Sequence, residues 1–176
     1  MTSHTISVLV ENEFGVLARV AGLFSGRGFN IESLTVNEDP LDPSVSRIVL
    51  VTTGDDQIVE QIEKQLNKLV SVIKITDFKD VETIDREMVI VKVAVDERTR
   101  GELDSIVQAF RAHVIDIGPR AVTVEVTGDS EKIKAFISIV RPLGIKEVVR
   151  SGKVAMSRAV QLSNESNHGR RSRESD

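Results

Sequence analysis

The first half of the chain alternates between two hydrophobic periods. Residues 5–11 place Ile6, Val8 and Val10 on one side, which is the spacing of a β-strand. After a break at residues 12–15, apolar residues recur every three or four positions and predict an amphipathic helix that ends at Gly26 and Gly28. The same reasoning predicts three further strands, at residues 30–37, 47–53 and 70–77. It also predicts one further helix, which begins at residue 54.

This βαββαβ order predicts a ferredoxin-like fold. Right-handed crossovers place both helices on one face of the sheet. The first and third strands are then central, and the second and fourth lie at the edges. The uninterrupted apolar run Ile48–Val51 supports a central position for the third strand, because both of its faces are apolar.

A second unit of the same order follows the charged segment 79–86. Its loop after the first strand, residues 96–101, does not repeat the Asn-x-x-Gly pattern of residues 12–15, so we expect the two units to have different roles. The predicted fold class is therefore α+β, with two ferredoxin-like βαββαβ domains in tandem. We expect a first domain at residues 1–78, a linker at residues 79–85 and a second domain at residues 86–160. We expect the polar tail, residues 161–176, to be disordered.

The composition narrows the choice of function. Hydrophobic residues make up 40% of the 176 residues and aromatic residues only 3%, so the core must consist of Val, Ile and Leu. A net charge of -4 and a sheet without Tyr or Trp argue against binding to nucleic acid or to an anionic membrane. The absence of cysteine fits a reducing compartment, and no apolar run is long enough to span a membrane, so we expect a cytoplasmic protein.

No catalytic or metal site is predicted. The three histidines, at positions 4, 113 and 168, lie in separate segments without a carboxylate or second histidine at metal-ligand spacing, and we expect all three at the surface. The segment Gly26-Arg27-Gly28 resembles the start of a dinucleotide-binding fingerprint, but it ends a helix instead of following a strand.

The loop at residues 12–15 has the chemistry of a small-ligand site. A helix N-terminus carries unpaired N–H groups and partial positive charge, which suit a carboxylate. Gly15 allows close approach to the backbone, and an asparagine amide such as that of Asn12 both donates and accepts hydrogen bonds, as a free amino acid requires. The alternative is that Asn12 and Asn30 are only turn residues and Gly15 only a steric necessity.

The two asparagines need not lie at the same end of one molecule. An edge strand from a second copy could pair with the edge strand of the first and bring them together. In a two-fold dimer, this pairing creates two equivalent sites at the seam between the two strands. The strand expected to form this seam comprises Glu32, Ser33, Leu34, Thr35 and Val36.

Long blocks of the chain closely resemble the regulatory (small) subunit of acetolactate synthase, also called acetohydroxyacid synthase. The resemblance covers about residues 4–160. The blocks that carry it are residues 8–17, 22–36, 63–70, 86–87 and 148–158. Phe14 is a departure, because relatives often carry a smaller residue there.

The resemblance implies a function that the residues alone do not. It implies that the first domain is an ACT domain, which pairs side by side with a second copy and binds valine at the seam. Carried over position by position, it assigns the effector site to Asn12, Gly15, Val16, Leu17, Asn30 and Ile31. The implied partner is the catalytic (large) subunit, a transferase that carries the thiamine diphosphate, magnesium and FAD and makes the first common intermediate of branched-chain amino acids.

Three hypotheses follow. In the first, the chain is a non-catalytic regulatory subunit that activates acetolactate synthase and confers feedback inhibition by valine. In the second, it is a stand-alone ACT sensor of amino acids that acts on a different partner. In the third, it is an independent small enzyme. The absence of a cofactor-binding Gly-Asp-Gly motif argues against this third hypothesis.

Overall fold

The structure is a computed structural model, and it describes residues 2–79 and 81–159. The chain divides into two compact units. One unit comprises the described residues up to Ile84 together with residues 155–159, and the other comprises Asp85–Val154. The predicted tail at 161–176, including His168, lies outside the described residues.

The first unit has the predicted βαββαβ order. Its elements are β1 (Thr2–Glu11), α1 (Val16–Gly26), β2 (Ser33–Asp39), β3 (Asp42–Gly54), α2 (Asp56–Leu66) and β4 (Val72–Asp77). The sheet order is β2-β3-β1-β4, and every pair of neighbours is antiparallel. This confirms that the first and third strands are central and that the second lies at an edge.

The core of the first unit lies between this sheet and its two helices. From β1 it takes Ile6, Val8 and Val10, which pack with one side of α1 and of α2. The run Ile48–Val51 of β3 is at most 6% exposed on either face. Ile48 and Leu50 belong to the core against the helices, whereas Val49 and Val51 lie on the opposite face, because successive side chains of a strand point to opposite faces.

His4 is a correction to the sequence analysis, which expected it at the surface. It is only 3% exposed, and its Nε2 atom has no hydrogen-bond partner among the described residues. The physical reason is that β1 begins at Thr2, so that His4 falls in phase with Ile6 on the inner face. His113, in contrast, is exposed as expected.

The second unit repeats the element order with different boundaries. Its elements are β5 (Thr83–Ala94), α3 (Thr99–Ala109), β6 (His113–Ile117), β7 (Ala121–Gly128), α4 (Ser130–Gly144) and β8 (Ile145–Ser157). The sheet order is β6-β7-β5-β8. Strand β5 begins inside the segment expected as a linker. Helix α4 ends at Gly144, two residues after Pro142.

In the part of the chain that the structure describes, aspartate side chains accept hydrogen bonds at the starts of α2, α3 and α4. Asp55 and Asp129 accept hydrogen bonds from backbone N–H groups in the first turns of α2 and α4. Asp96 accepts from the N–H groups of Arg98 and Thr99 and thereby caps the start of α3. The backbone hydrogen bond from Thr99 lowers the pKa of Asp96 further than any other contact, so this carboxylate stays ionised well into the acidic range.

Candidate functional site

Helix α1 begins without the cap that the other three helices have. Its N-cap residue is Gly15, no side chain accepts from its first turn, and that turn contains no acidic residue. Gly15 has φ of 81°, a left-handed conformation that glycine adopts without strain. The N–H of Val16 donates to the carbonyl oxygen of Glu13 at 3.4 Å, whereas the N–H groups of Leu17 and Ala18, at the positive end of the helix dipole, remain available to an anion.

An open cavity of about 620 Å³ lies against this helix start. Its lining consists of Asn12, Glu13, Phe14, Gly15, Leu17, Ala18 and Ala21. The polar side chains of Asn12 and Glu13 lie in the loop with Phe14, whereas Leu17, Ala18 and Ala21 lie along one flank of α1. A polar end and an apolar flank match the two halves of an aliphatic amino acid.

The cavity flank of α1 faces the edge strand β2. On the opposite flank, the guanidinium of Arg19 donates to the hydroxyl of Ser71, which lies just before β4. Leu17 lies two positions before Arg19 and therefore about 200° away around the helix. Because β4 and β2 are the two edges of the sheet, the side of α1 that carries Leu17 is the β2 side.

Asn12 has a structural role in this conformation. Its Nδ2 donates to the carbonyl oxygen of Pro43 at 3.0 Å and to Oε2 of Glu38 at 3.3 Å, and its Oδ1 accepts from Oγ of Ser46 at 3.0 Å. These bonds tie the loop before α1 to the hairpin between β2 and β3. Nδ2 has then used both of its N–H groups, while Oδ1 retains one lone pair for a ligand.

We expect Asn12→Ala to lower the free energy of unfolding by about 1–2 kcal/mol, because three hydrogen bonds are lost and Ser46 is buried. Thermal unfolding of the purified chain measures this. Ser46→Ala removes one of the three bonds and should reproduce part of the loss. An Asn12→Ala chain as stable as the unmodified one would show that these bonds do not hold the loop.

The other predicted site residues lie in two places. Leu17 lines the cavity, whereas Val16 is buried in the core of the first unit. Asn30 and Ile31 precede β2, and the backbone oxygen of Asn30 accepts from Oγ1 of Thr52. The backbone N–H of Asn12 donates to the carbonyl oxygen of Ser44, which lies eight residues before Thr52 on β3. Because a strand rises about 3.3 Å per residue, the two asparagines lie about 26 Å apart in one chain.

Four lining residues were not among the predicted site residues. They are Glu13, Phe14, Ala18 and Ala21. The signal that identifies Ala18 and Ala21 is helical spacing, because positions 18 and 21 share one flank of α1 with position 17.

The described residues contain neither a metal-binding cluster nor a membrane-spanning helix. Residues 2–79 and 81–159 contain no group of three or more His, Cys, Asp or Glu side chains that could hold a metal ion. Within the same ranges, no helix has the length and apolar character needed to cross a membrane.

Family models match almost all of both units. The model described as an AHAS small subunit-like ACT domain matches residues 6–74. The model described as the small subunit of acetolactate synthase matches residues 86–159.

Individual relatives agree with these models. The chain is 52% identical to the "Probable acetolactate synthase small subunit" of Methanothermobacter thermautotrophicus, over 89% of this chain and 93% of that protein. It is 44% identical to the acetolactate synthase small subunit of Aquifex aeolicus, over 93% of this chain and 85% of that protein.

A solved structure extends the similarity to the fold. The crystal structure of the acetolactate synthase small subunit from Thermotoga maritima superposes with a TM-score of 0.80 and 41% sequence identity, covering 90% of this chain and 98% of that chain. With family models on both units, relatives over most of its length and a matching fold, the chain belongs to the family of acetolactate synthase small subunits, the non-catalytic regulatory subunits of that synthase.

Proposed function

We propose that this chain activates the catalytic subunit of acetolactate synthase and makes it sensitive to valine, which binds at a seam between two copies of the first unit. Thiamine diphosphate, magnesium and FAD belong to the catalytic subunit in this proposal. The observation that carries the effector site is the open cavity at the uncapped start of α1, on the flank that faces an edge strand.

The seam follows from the position of β2. An edge strand can extend its sheet by pairing with the same strand of a second copy. A two-fold axis makes the two β2 strands antiparallel, so Ser33 of one copy lies near Asp39 of the other. Asn12 bonds Glu38 near the end of β2, and Asn30 lies three residues before its start. Asn12 of one copy and Asn30 of the second copy then meet at one end of the seam.

This arrangement offers a partner to each part of valine. The carboxylate binds at the start of α1, where Gly15 leaves the backbone N–H groups accessible. The amide of Asn30 from the second copy provides the acceptor for the ammonium group. Leu17 from one copy and Ile31 from the other cover the aliphatic side chain.

Valine acts on the catalytic subunit through the geometry of the dimer. A ligand that contacts two chains favours the dimer arrangement in which both sets of contacts form. The resulting shift in activity is limited to the difference in affinity of valine for the two arrangements, typically ~1–3 kcal/mol.

Reconstitution with the catalytic subunit tests the proposal. We expect the purified chain to raise the rate of acetolactate formation and valine to lower it, with saturable binding near one site per chain in a calorimetric titration. Lysine is the control ligand, because its charged side chain does not fit an apolar flank. Valine binding without any effect on the catalytic subunit would favour a stand-alone sensor. Absence of both activation and binding would contradict the proposal.

A further inference from the structure

Phe14 is the one phenylalanine of the chain whose ring is fully exposed. The other five are buried or partly buried, and four of them form two edge-to-face pairs. A fully exposed aromatic ring loses the favourable burial that normally holds such a side chain in place. Phe14 nevertheless lines the cavity at the start of α1.

The surroundings of Phe14 form an apolar floor for a small ligand. Leu17 and Ala18 lie three and four positions after Phe14, on the flank of α1 that faces the cavity, and Ala21 continues that flank. The two alanines leave the space between ring and helix unfilled. A branched aliphatic side chain placed there would contact the ring on one side and the helix on the other.

We propose that Phe14 determines the specificity of the effector site: its ring covers the aliphatic side chain of the bound amino acid. This inference rests on the proposed function, since it assigns a role within that effector site. The ring adds contact area in proportion to the size of the aliphatic group, so it favours valine over amino acids with fewer methyl groups.

Two other exposed apolar side chains provide controls that distinguish a role of Phe14 in ligand specificity from a role in docking another protein. Leu41 and Val70 are almost fully exposed at the same end of the first unit. The backbone N–H of Glu11 donates to the carbonyl oxygen of Ser71, next to Val70, and the backbone N–H of Asn12 donates to the carbonyl oxygen of Ser44, close to Leu41. Both side chains therefore lie at the end of the unit where the loop before α1 lies. Leu41 and Val70 are not among the cavity residues, so of these three exposed apolar side chains only Phe14 can contact a ligand in the cavity.

The experiment titrates the reconstituted holoenzyme with valine and with α-aminobutyrate, which lacks one methyl group. We expect Phe14→Ala to weaken the preference for valine over α-aminobutyrate about tenfold, and Phe14→Leu to weaken it less. Leu41→Ala and Val70→Ala should leave the preference unchanged. Because the ring of Phe14 is fully exposed in the free chain, its removal should not alter thermal unfolding.

Each other outcome identifies what failed. An unmodified chain that binds neither amino acid, alone or in the holoenzyme, overturns the proposed effector site and this inference with it. Normal valine binding with an unchanged preference in Phe14→Ala overturns the role of Phe14 alone. Equal loss of activation in all three alanine variants, with the preference intact, assigns this end of the unit to protein docking and also overturns the role.

Discussion

Replacing Gly15 with aspartate is expected to raise the concentration of valine that half-inhibits the reconstituted synthase by about 100-fold. The new carboxylate lies at the N-cap of α1 and accepts from the N–H groups that the carboxylate of valine needs. It also repels that carboxylate. The left-handed backbone at this position strains any side chain, although aspartate adopts that region more readily than most residues, and the new Cβ would lie 3.6 Å from Nη1 of Arg19.

Two variants control for effects other than charge at this position. Gly15→Asn has the same shape without the charge and should give a smaller rise. Gly101→Asp adds the same carboxylate to the start of α3, where a Cβ meets no atom within 4 Å, and should leave inhibition unchanged. Inhibition is expressed relative to the uninhibited rate of the same variant. Unaltered valine sensitivity in Gly15→Asp would remove the start of α1 from the effector site.

The second large effect is expected on stability, at an ion pair in the second unit. The carboxylate of Glu87 is only 5% exposed and accepts from Nε and Nη2 of Arg150 at 2.7 and 2.6 Å. These hydrogen bonds raise the pKa of the Arg150 guanidinium above its ordinary value. Arg150→Leu leaves a nearly buried carboxylate without its partner.

We expect Arg150→Leu to lower the free energy of unfolding by about 2–3 kcal/mol. This loss of stability is smaller than the loss expected for a fully buried ion pair. The side chain of Arg150 is itself 56% exposed, so water can reach the space that it leaves. The double variant Glu87→Leu/Arg150→Leu should be more stable than Arg150→Leu alone, since it removes the uncompensated charge.

The matched control is the exposed pair Lys92–Glu147, which joins β5 and β8 of the same sheet at 2.7 Å. Lys92→Leu should leave the unfolding temperature nearly unchanged, because water screens an exposed ion pair. Thermal unfolding of the whole chain measures all three variants. Equal, small effects at both pairs would show that burial of Glu87 does not matter.

The order of elements could be predicted because it depends on local periodicity. The change from a period of two to a period of about 3.6 at Gly15 separates β1 from α1, and the apolar run Ile48–Val51 identifies a central strand. Strand order then follows from the handedness of crossovers. The open start of α1 is local as well, since it depends on the absence of a capping side chain beside Gly15.

The features that could not be predicted depend on contacts distant in sequence. Glu87 and Arg150 are 63 residues apart, and only the inward phase of Glu87 with Val89 indicates that a partner is required. The bonds of Asn12 to the β2–β3 hairpin likewise span more than 25 residues. His4 was missed because no aliphatic residue extends the alternation of β1 toward its start.

The central claim is that each valine site combines the Gly15 loop of one copy with Asn30 of the other. Co-expression of Gly15→Asp and Asn30→His chains tests it, with valine binding measured by calorimetry. The backbone bond from Thr52 to Asn30 does not involve the replaced side chain, so the start of β2 should remain in place.

Each variant alone should bind no valine, since every site in its dimer lacks one component. In a mixed dimer one site carries both substitutions and the other carries neither, so random pairing should restore about one site per four chains. Binding that stays absent in the mixture would contradict the seam, because Gly15 and Asn30 lie too far apart in one chain to hold a single valine.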